Sequence, residues 1–139
     1  MAIEDRTRVV LDTNVFVAAG FNPGSSAARI VRDVERGRLG LVWDRETRRE
    51  TETVVRRIPR LDWGRFAPLF GDDGEFAGTV EPERFGHVED PGDRKFAALA
   101  AAGAVLVTND RGLLAASHRG RDGLRVVTPS EFVAGEGGP

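Results

Sequence analysis

Arg8-Val9-Val10-Leu11-Asp12-Thr13-Asn14 sets a short apolar run directly ahead of a carboxylate. The same order returns late in the chain, where Ala104-Val105-Leu106-Val107 leads into Thr108-Asn109-Asp110. Val9 to Leu11 and Val105 to Val107 are apolar without alternation, the pattern of strands buried on both faces. Leu39 to Trp43 and Arg125 to Val127 give two further strand-like runs, and helical patterns separate them. Strands alternating with helices predict a three-layer α/β/α fold with a mainly parallel central sheet. Side chains just past the carboxyl ends of such strands project into the crevice where open α/β sheets bind ligands. Asp12 and Asp110 hold those positions.

The segments between the strands read as follows. A short helix is expected after Asp12. Asn22-Pro23-Gly24-Ser25 forms a loop, with Ser25 or Ser26 capping a helix that runs to about Arg36 and stops at Gly37. Asp44 caps a third helix extending to Arg57, ahead of Ile58-Pro59. Asp62 to Phe70 gives a weaker helix, broken by Gly71-Asp72-Asp73-Gly74. From Gly74 to Glu89 there is no clear period, and Thr79 and Val80 are read as a short strand. Asp93 to Ala102 is a helix ending at Gly103. Residues 1–133 are expected to form one domain, and the glycine-rich residues 134–139 a frayed tail.

With 139 residues the chain has room for one substantial core. No stretch approaches the run of about 18 apolar residues that a membrane span needs. Met1-Ala2-Ile3-Glu4-Asp5-Arg6 lacks the apolar core of a secretion signal. The absence of cysteine excludes disulfides and thiolate metal sites. A soluble cytoplasmic protein is the expectation. The formal net charge of −2 does not advertise a nucleic-acid binder, although net charge hides distribution. Lys95 is the only lysine, so nineteen of the twenty basic residues are arginine. The arginine fork matches phosphate, but genomic base composition produces the same bias.

Two more carboxylates join Asp12 and Asp110 as candidates. On the third helix, at about 100° per residue, Thr47, Thr51, Val54, Val55 and Ile58 gather into a core-facing stripe. Glu50 lies roughly 80° from the centre of that stripe, closer than Glu46 or Glu52. It can therefore reach inward, or pair on the surface with Arg49 or Arg57. Asp93 follows the turn Asp90-Pro91-Gly92, where it can bind metal or cap the next helix. Asp12 faces the same choice between ligand and cap. Asn14 and Asp90 are supporting polar groups, Asn14 as a hydrogen-bonding residue that orients Asp12. Aspartates packed together at the ends of buried strands repel one another. A divalent cation removes that conflict, and an all-oxygen set suits Mg²⁺ or Mn²⁺.

Other chemistries find less support. His87 and His118 lie in loop-like sequence without metal-ligand spacing and read as surface residues. Ser117-His118 has no acid partner and no nucleophile turn. No glycine-rich phosphate loop is present. Trp43 and Trp63 read as packing residues. A phosphatase with Asp12 as covalent nucleophile would carry a second aspartate two residues on, where this chain has Asn14.

The ordered set of motifs resembles the PIN-domain ribonucleases, especially the bacterial branch that includes toxin components of toxin–antitoxin pairs. The resemblance runs from Arg8-Val9-Val10-Leu11-Asp12-Thr13-Asn14-Val15 through Glu50 to Asp90-Pro91-Gly92-Asp93-Arg94-Lys95-Phe96. It continues in Leu106-Val107-Thr108-Asn109-Asp110-Arg111-Gly112-Leu113-Leu114 and closes on Val127-Thr128-Pro129-Ser130-Glu131-Phe132. It implies a metal-dependent endoribonuclease with Asp12, Glu50, Asp93 and Asp110 around Mg²⁺ or Mn²⁺, and with Asn14 and Thr108 as supporting polar residues. It also implies an RNA substrate, a protein antitoxin, and a homodimer formed through helices near Ala27 to Arg36. Arg94 departs from the family pattern and is expected to alter local charge or substrate contact; Asn109 and Gly112 are milder departures. A PIN-like module that binds RNA or protein without catalysis is the alternative.

Overall fold

The computed structural model describes residues 6–116 and 124–136. Four strands, β1 (Thr7–Leu11), β2 (Leu39–Leu41), β3 (Val105–Val107) and β4 (Arg125–Val127), form one sheet in the order β2-β1-β3-β4. Every pairing is parallel, with Val9, Val10 and Leu11 opposite Val105, Leu106 and Val107. Alternate side chains of β1 leave on opposite faces, as strand geometry requires. Val9 and Leu11 enter one core with Val15, Phe16, Ile30, Val55 and Phe132. Val10 enters the other with Phe96, Leu99, Leu106 and Leu113. Helices α1 (Thr13–Phe21), α2 (Ser26–Glu35), α3 (Arg45–Arg56), α4 (Trp63–Phe66) and α7 (Pro129–Glu136) cover the first face. Helices α5 (Arg94–Ala100) and α6 (Arg111–Ala116) cover the second. The result is the expected α/β/α sandwich, with Val9 to Leu11 of β1 and Leu106 and Val107 of β3 buried.

Local chemistry explains the boundaries. Ser25 caps α2 by accepting from the Ala28 N–H at 3.0 Å. Asp44 and Thr47 exchange bonds as a capping box on α3. Gly37 and Gly103 follow α2 and α5 with φ of 75° and 126°, where a side chain would strain the backbone. Trp43 and Trp63 are buried packing residues, with the Trp43 indole donating to the Gly71 carbonyl at 2.8 Å.

Several expectations need correction. β2 ends at Leu41, and Trp43 makes only an isolated parallel bridge to Glu75. Thr79 and Val80 form no strand. The stretch around them is built from short 3-10 turns at Asp72–Gly74 and Pro82–Phe85, pinned by buried Phe85 and Val88. The helix expected from Asp62 is one α turn followed by a 3-10 turn at Ala67–Leu69. Arg94 serves the fold, since its guanidinium donates to the carbonyls of Val88 at 3.0 Å and Gly86 at 3.1 Å. Those carbonyls lie in a loop without ladder partners, which a five-donor fork is suited to satisfy. His87 is not a surface residue, because it is half-buried beside Phe85 and its Nε2 atom is buried without a partner. The tail expected from residue 134 is helical as far as Glu136. Residues 1–5, His118 with its neighbours 117–123, and residues 137–139 lie outside the described residues.

Candidate active site

Parallel pairing of β1 with β3 fixes the centre of the site. Leu11 stands opposite Val107, and the Asp12 N–H continues the ladder to the Val107 carbonyl at 3.1 Å. Asp12 and Thr108 therefore leave the sheet side by side. The Thr108 hydroxyl donates to Asp12 Oδ2 at 2.7 Å and accepts from the Asp110 N–H at 2.9 Å. One fully buried hydroxyl thus ties the two aspartates of the first and last motifs to each other.

The choice between cap and ligand falls out differently for each acid. Asp12 occupies the N-cap position of α1 and makes no side-chain capping bond there. The Asn14 N–H leans on the Asp12 carboxylate without reaching capping geometry, and that backbone dipole is what Asn14 contributes. Its own side chain is exposed. Asp93, preceding α5, also makes no side-chain capping bond. The turn is capped instead by Asp90, whose Oδ1 accepts from the Gly92 N–H at 2.9 Å. Asp110 spends one oxygen on the N-terminus of α6, accepting from the Leu113 N–H at 3.0 Å.

Glu50 reaches inward from α3, whose buried stripe is Thr47, Thr51 and Val55. Its partner is neither Arg49 nor Arg57, the neighbours that sequence suggested, but Lys95 of α5, at 2.6 Å. Thr13 also donates to Glu50, at 3.3 Å, and shares a hydrogen bond of 3.0 Å with Thr51. Thr13 and Lys95 are thus site residues that sequence reasoning passed over, although both sit inside quoted motifs.

Electrostatics shows that the acids share one field. Burial is the main cause pushing the Asp12 carboxyl above the ordinary aspartate range, and repulsion from Asp110 and Glu50 adds to it. The Thr108 hydrogen bond opposes that rise. Asp93 is pushed up to about 6 by desolvation, then by repulsion from Asp12, Asp110, Asp90 and Glu50. Such a group binds its proton more tightly in the folded protein than in the unfolded chain. Its ionisation therefore costs stability as pH rises from about 4 to about 6. In chelator, an Asp93→Asn variant is expected to match wild type near pH 4 and exceed it by pH 7. The gain, discounted for the partial exposure of Asp93, is on the order of 1 kcal/mol. Urea titrations across that range check it, and a difference that stays flat with pH contradicts it.

The donor set is oxygen only, which fits a hard divalent cation. Among the described residues, no three acidic or histidine side chains already converge into a metal cage. Mg²⁺ does not demand one, because it keeps several waters and binds through one or two carboxylates. Asp12, held by Thr108 within reach of the Asp110 and Asp93 fields, fits that requirement. A cavity of about 310 Å³ lined by Asp90, Asp110 and Arg111 adjoins the site. A second, of about 550 Å³, lies at the start of α3 and is lined by Trp43, Arg45, Arg48, Arg49 and Phe70. Of the four candidate acids only Asp110 lines the first cavity, and the acids of the second are Glu52 and Glu75.

A parallel sheet with Asp12 and Asp110 past the carboxyl ends of neighbouring strands defines an α/β protein with an acidic strand-edge site. The family model described as PIN domain matches residues 8–112. That span covers most of the chain, and the chain belongs to the PIN-domain family. Searches of curated proteins and of solved structures return no match. No helix among the described residues is long and apolar enough to cross a membrane.

Proposed function

We propose that this PIN domain is a divalent-metal-dependent endoribonuclease, using Mg²⁺ or Mn²⁺ and acting as the toxin of a cytoplasmic toxin–antitoxin pair. The observation that carries the nuclease reading is the gathering of Asp12, Glu50, Asp93 and Asp110 in one field, where burial first and mutual repulsion second raise the Asp12 and Asp93 carboxyls. Carboxylates forced to repel one another at a strand edge are a cost to the fold that a bound cation converts into affinity. Asp12 and Asp93 are the proposed direct ligands, with Glu50 and Asp110 completing the set directly or through water.

Each residue then has a defined role. Thr108 locks one oxygen of Asp12 and leaves the other for coordination. Asp110 gives one oxygen to the α6 N-terminus and keeps its second for the site. A bound divalent ion supplies Lewis acidity towards water and the scissile phosphate. Exposed Arg45 and Arg49 sit at the carboxyl end of the sheet, where they can take backbone phosphates. Arg48 is less available, since it pairs with Glu52 at 3.2 Å and lies over Trp63 and Phe70.

Incubating the protein with mixed RNAs and Mn²⁺ is expected to give cleavage with 5′-phosphate and 3′-hydroxyl ends, lost on chelation. Cyclic phosphate ends would point to attack by the RNA's own 2′-hydroxyl and contradict the proposed water attack. RNA retention without cleavage would favour the non-catalytic module, a reading for which the Lys95–Glu50 pair is the supporting observation. The toxin assignment predicts growth arrest on expression, relieved by co-expressing a small protein encoded beside it. A homodimer through α2 is part of the proposal, tested by light scattering.

A further inference from the structure

Lys95 aims its ammonium at the candidate site. Nζ lies 2.6 Å from Glu50 Oε1 and donates to the Gly92 carbonyl at 2.7 Å. The other carboxylate oxygen, Oε2, accepts from Thr13. Both oxygens of Glu50 are therefore engaged by the chain itself. A monovalent cation built into the protein holds this acid, bridging α5 to α3.

We propose that Lys95 is a positioning residue that latches Glu50, so that a divalent cation must displace the ammonium before Glu50 can join its ligands. The inference rests on reading the carboxylates as a metal site. An ammonium and a divalent ion cannot share one carboxylate oxygen without strong repulsion. The four-carbon lysine stem gives the ammonium somewhere to go, because its side chain is already 22% exposed and can swing to water. No bond is made or broken in the exchange; Glu50 trades one cationic partner for another. An ordinary surface ion pair would behave differently, contributing little to stability and nothing to metal selectivity. The latch also restrains α3 against α5, so its release couples ion binding to the spacing of those helices.

The test is a Mn²⁺ titration of the full chain, read by the paramagnetic resonance signal of the free ion, with a Lys95→Met, Glu50→Gln double-mutant cycle. Lys95→Met is expected to tighten Mn²⁺ binding roughly three- to tenfold, the range for breaking a part-exposed charge-assisted pair. In the Glu50→Gln background the same change is expected to alter affinity by less than about twofold, because the latch has lost its partner. An equal gain in both backgrounds would show that Lys95 acts only through its general field, and would overturn the latch. Unchanged or weaker binding by Lys95→Met overturns it too. Lys95→Gln, which keeps a polar stem, must give the same ordering, and melting in chelator verifies that each variant is folded. A wild-type chain that binds no Mn²⁺ sinks the metal-site reading along with the latch, whereas wild-type binding indifferent to Lys95 sinks the latch alone.

Discussion

Asp12→Asn is expected to lower RNA cleavage by about three orders of magnitude, or about 4 kcal/mol of transition-state stabilisation, while raising the melting temperature in chelator. The two effects have one cause. Asp12 is almost fully buried, and burial together with Asp110 and Glu50 makes its charge unfavourable. Asparagine is nearly isosteric, and its amide oxygen still accepts the Thr108 hydroxyl. The variant therefore keeps the packing and loses only the charge. A residue retained for the fold would behave in the opposite way, losing stability on substitution. Rates on a defined RNA with saturating Mn²⁺, paired with thermal melts, separate the cases. Cleavage within tenfold of wild type, or a clear fall in melting temperature, contradicts the role given to Asp12.

How much of the molecule is legible in its sequence depends on whether the signal is local. Buried parallel strands announce themselves as short apolar runs, and β3 and β4 lie where those runs lie. The acid at the end of a strand follows from the same runs, because the strand's end sets the side chain's address. The Asp44 cap is also local, a matter of three residues. What sequence could not decide was the use of each acid. Asp12, Asp93 and Asp110 all stand at helix starts, and composition treats them alike. Only backbone geometry reveals that Asp110 caps with its side chain while Asp12 and Asp93 do not. Lys95 was hidden for a related reason. Its partner Glu50 is on another helix, and an ion pair formed across the fold leaves no periodic trace.

The stretch from residue 74 to 89 was opaque for a different physical reason. Its order comes from 3-10 turns too short to impose a period, and from Arg94 bonding to loop carbonyls. Such structure is specified by individual contacts, so a pattern reader finds nothing to count. The departure from the family pattern at Arg94 then makes sense as loop support. A position flanking a candidate catalytic acid has a structural role here, and the loop it braces leads into the turn that presents Asp93.

Thr108→Val should be the most damaging substitution that leaves every carboxylate in place. Valine matches threonine in shape, so the change removes little besides one hydroxyl from a fully buried position. That hydroxyl serves two partners, the Asp12 Oδ2 acceptor and the Asp110 N–H donor. Leaving both unsatisfied is expected to cost roughly 2–4 kcal/mol of stability. Loss of the group that orients a metal ligand is expected to cut cleavage about 10- to 100-fold. The sign of the pH effect follows from the same bond. Thr108 holds the Asp12 carboxyl down against its burial, so removing the hydroxyl lets that pKa rise further. The acidic limb of the rate profile should therefore move to higher pH. Thr108→Ser is the control, because it keeps the hydroxyl and loses only a methyl group, at a cost of about 1 kcal/mol. If serine and valine damage the rate and its pH limb equally, packing rather than the hydroxyl bridge is what Thr108 supplies. If serine restores both, the strand-end hydroxyl is what turns two repelling aspartates into an ordered pair.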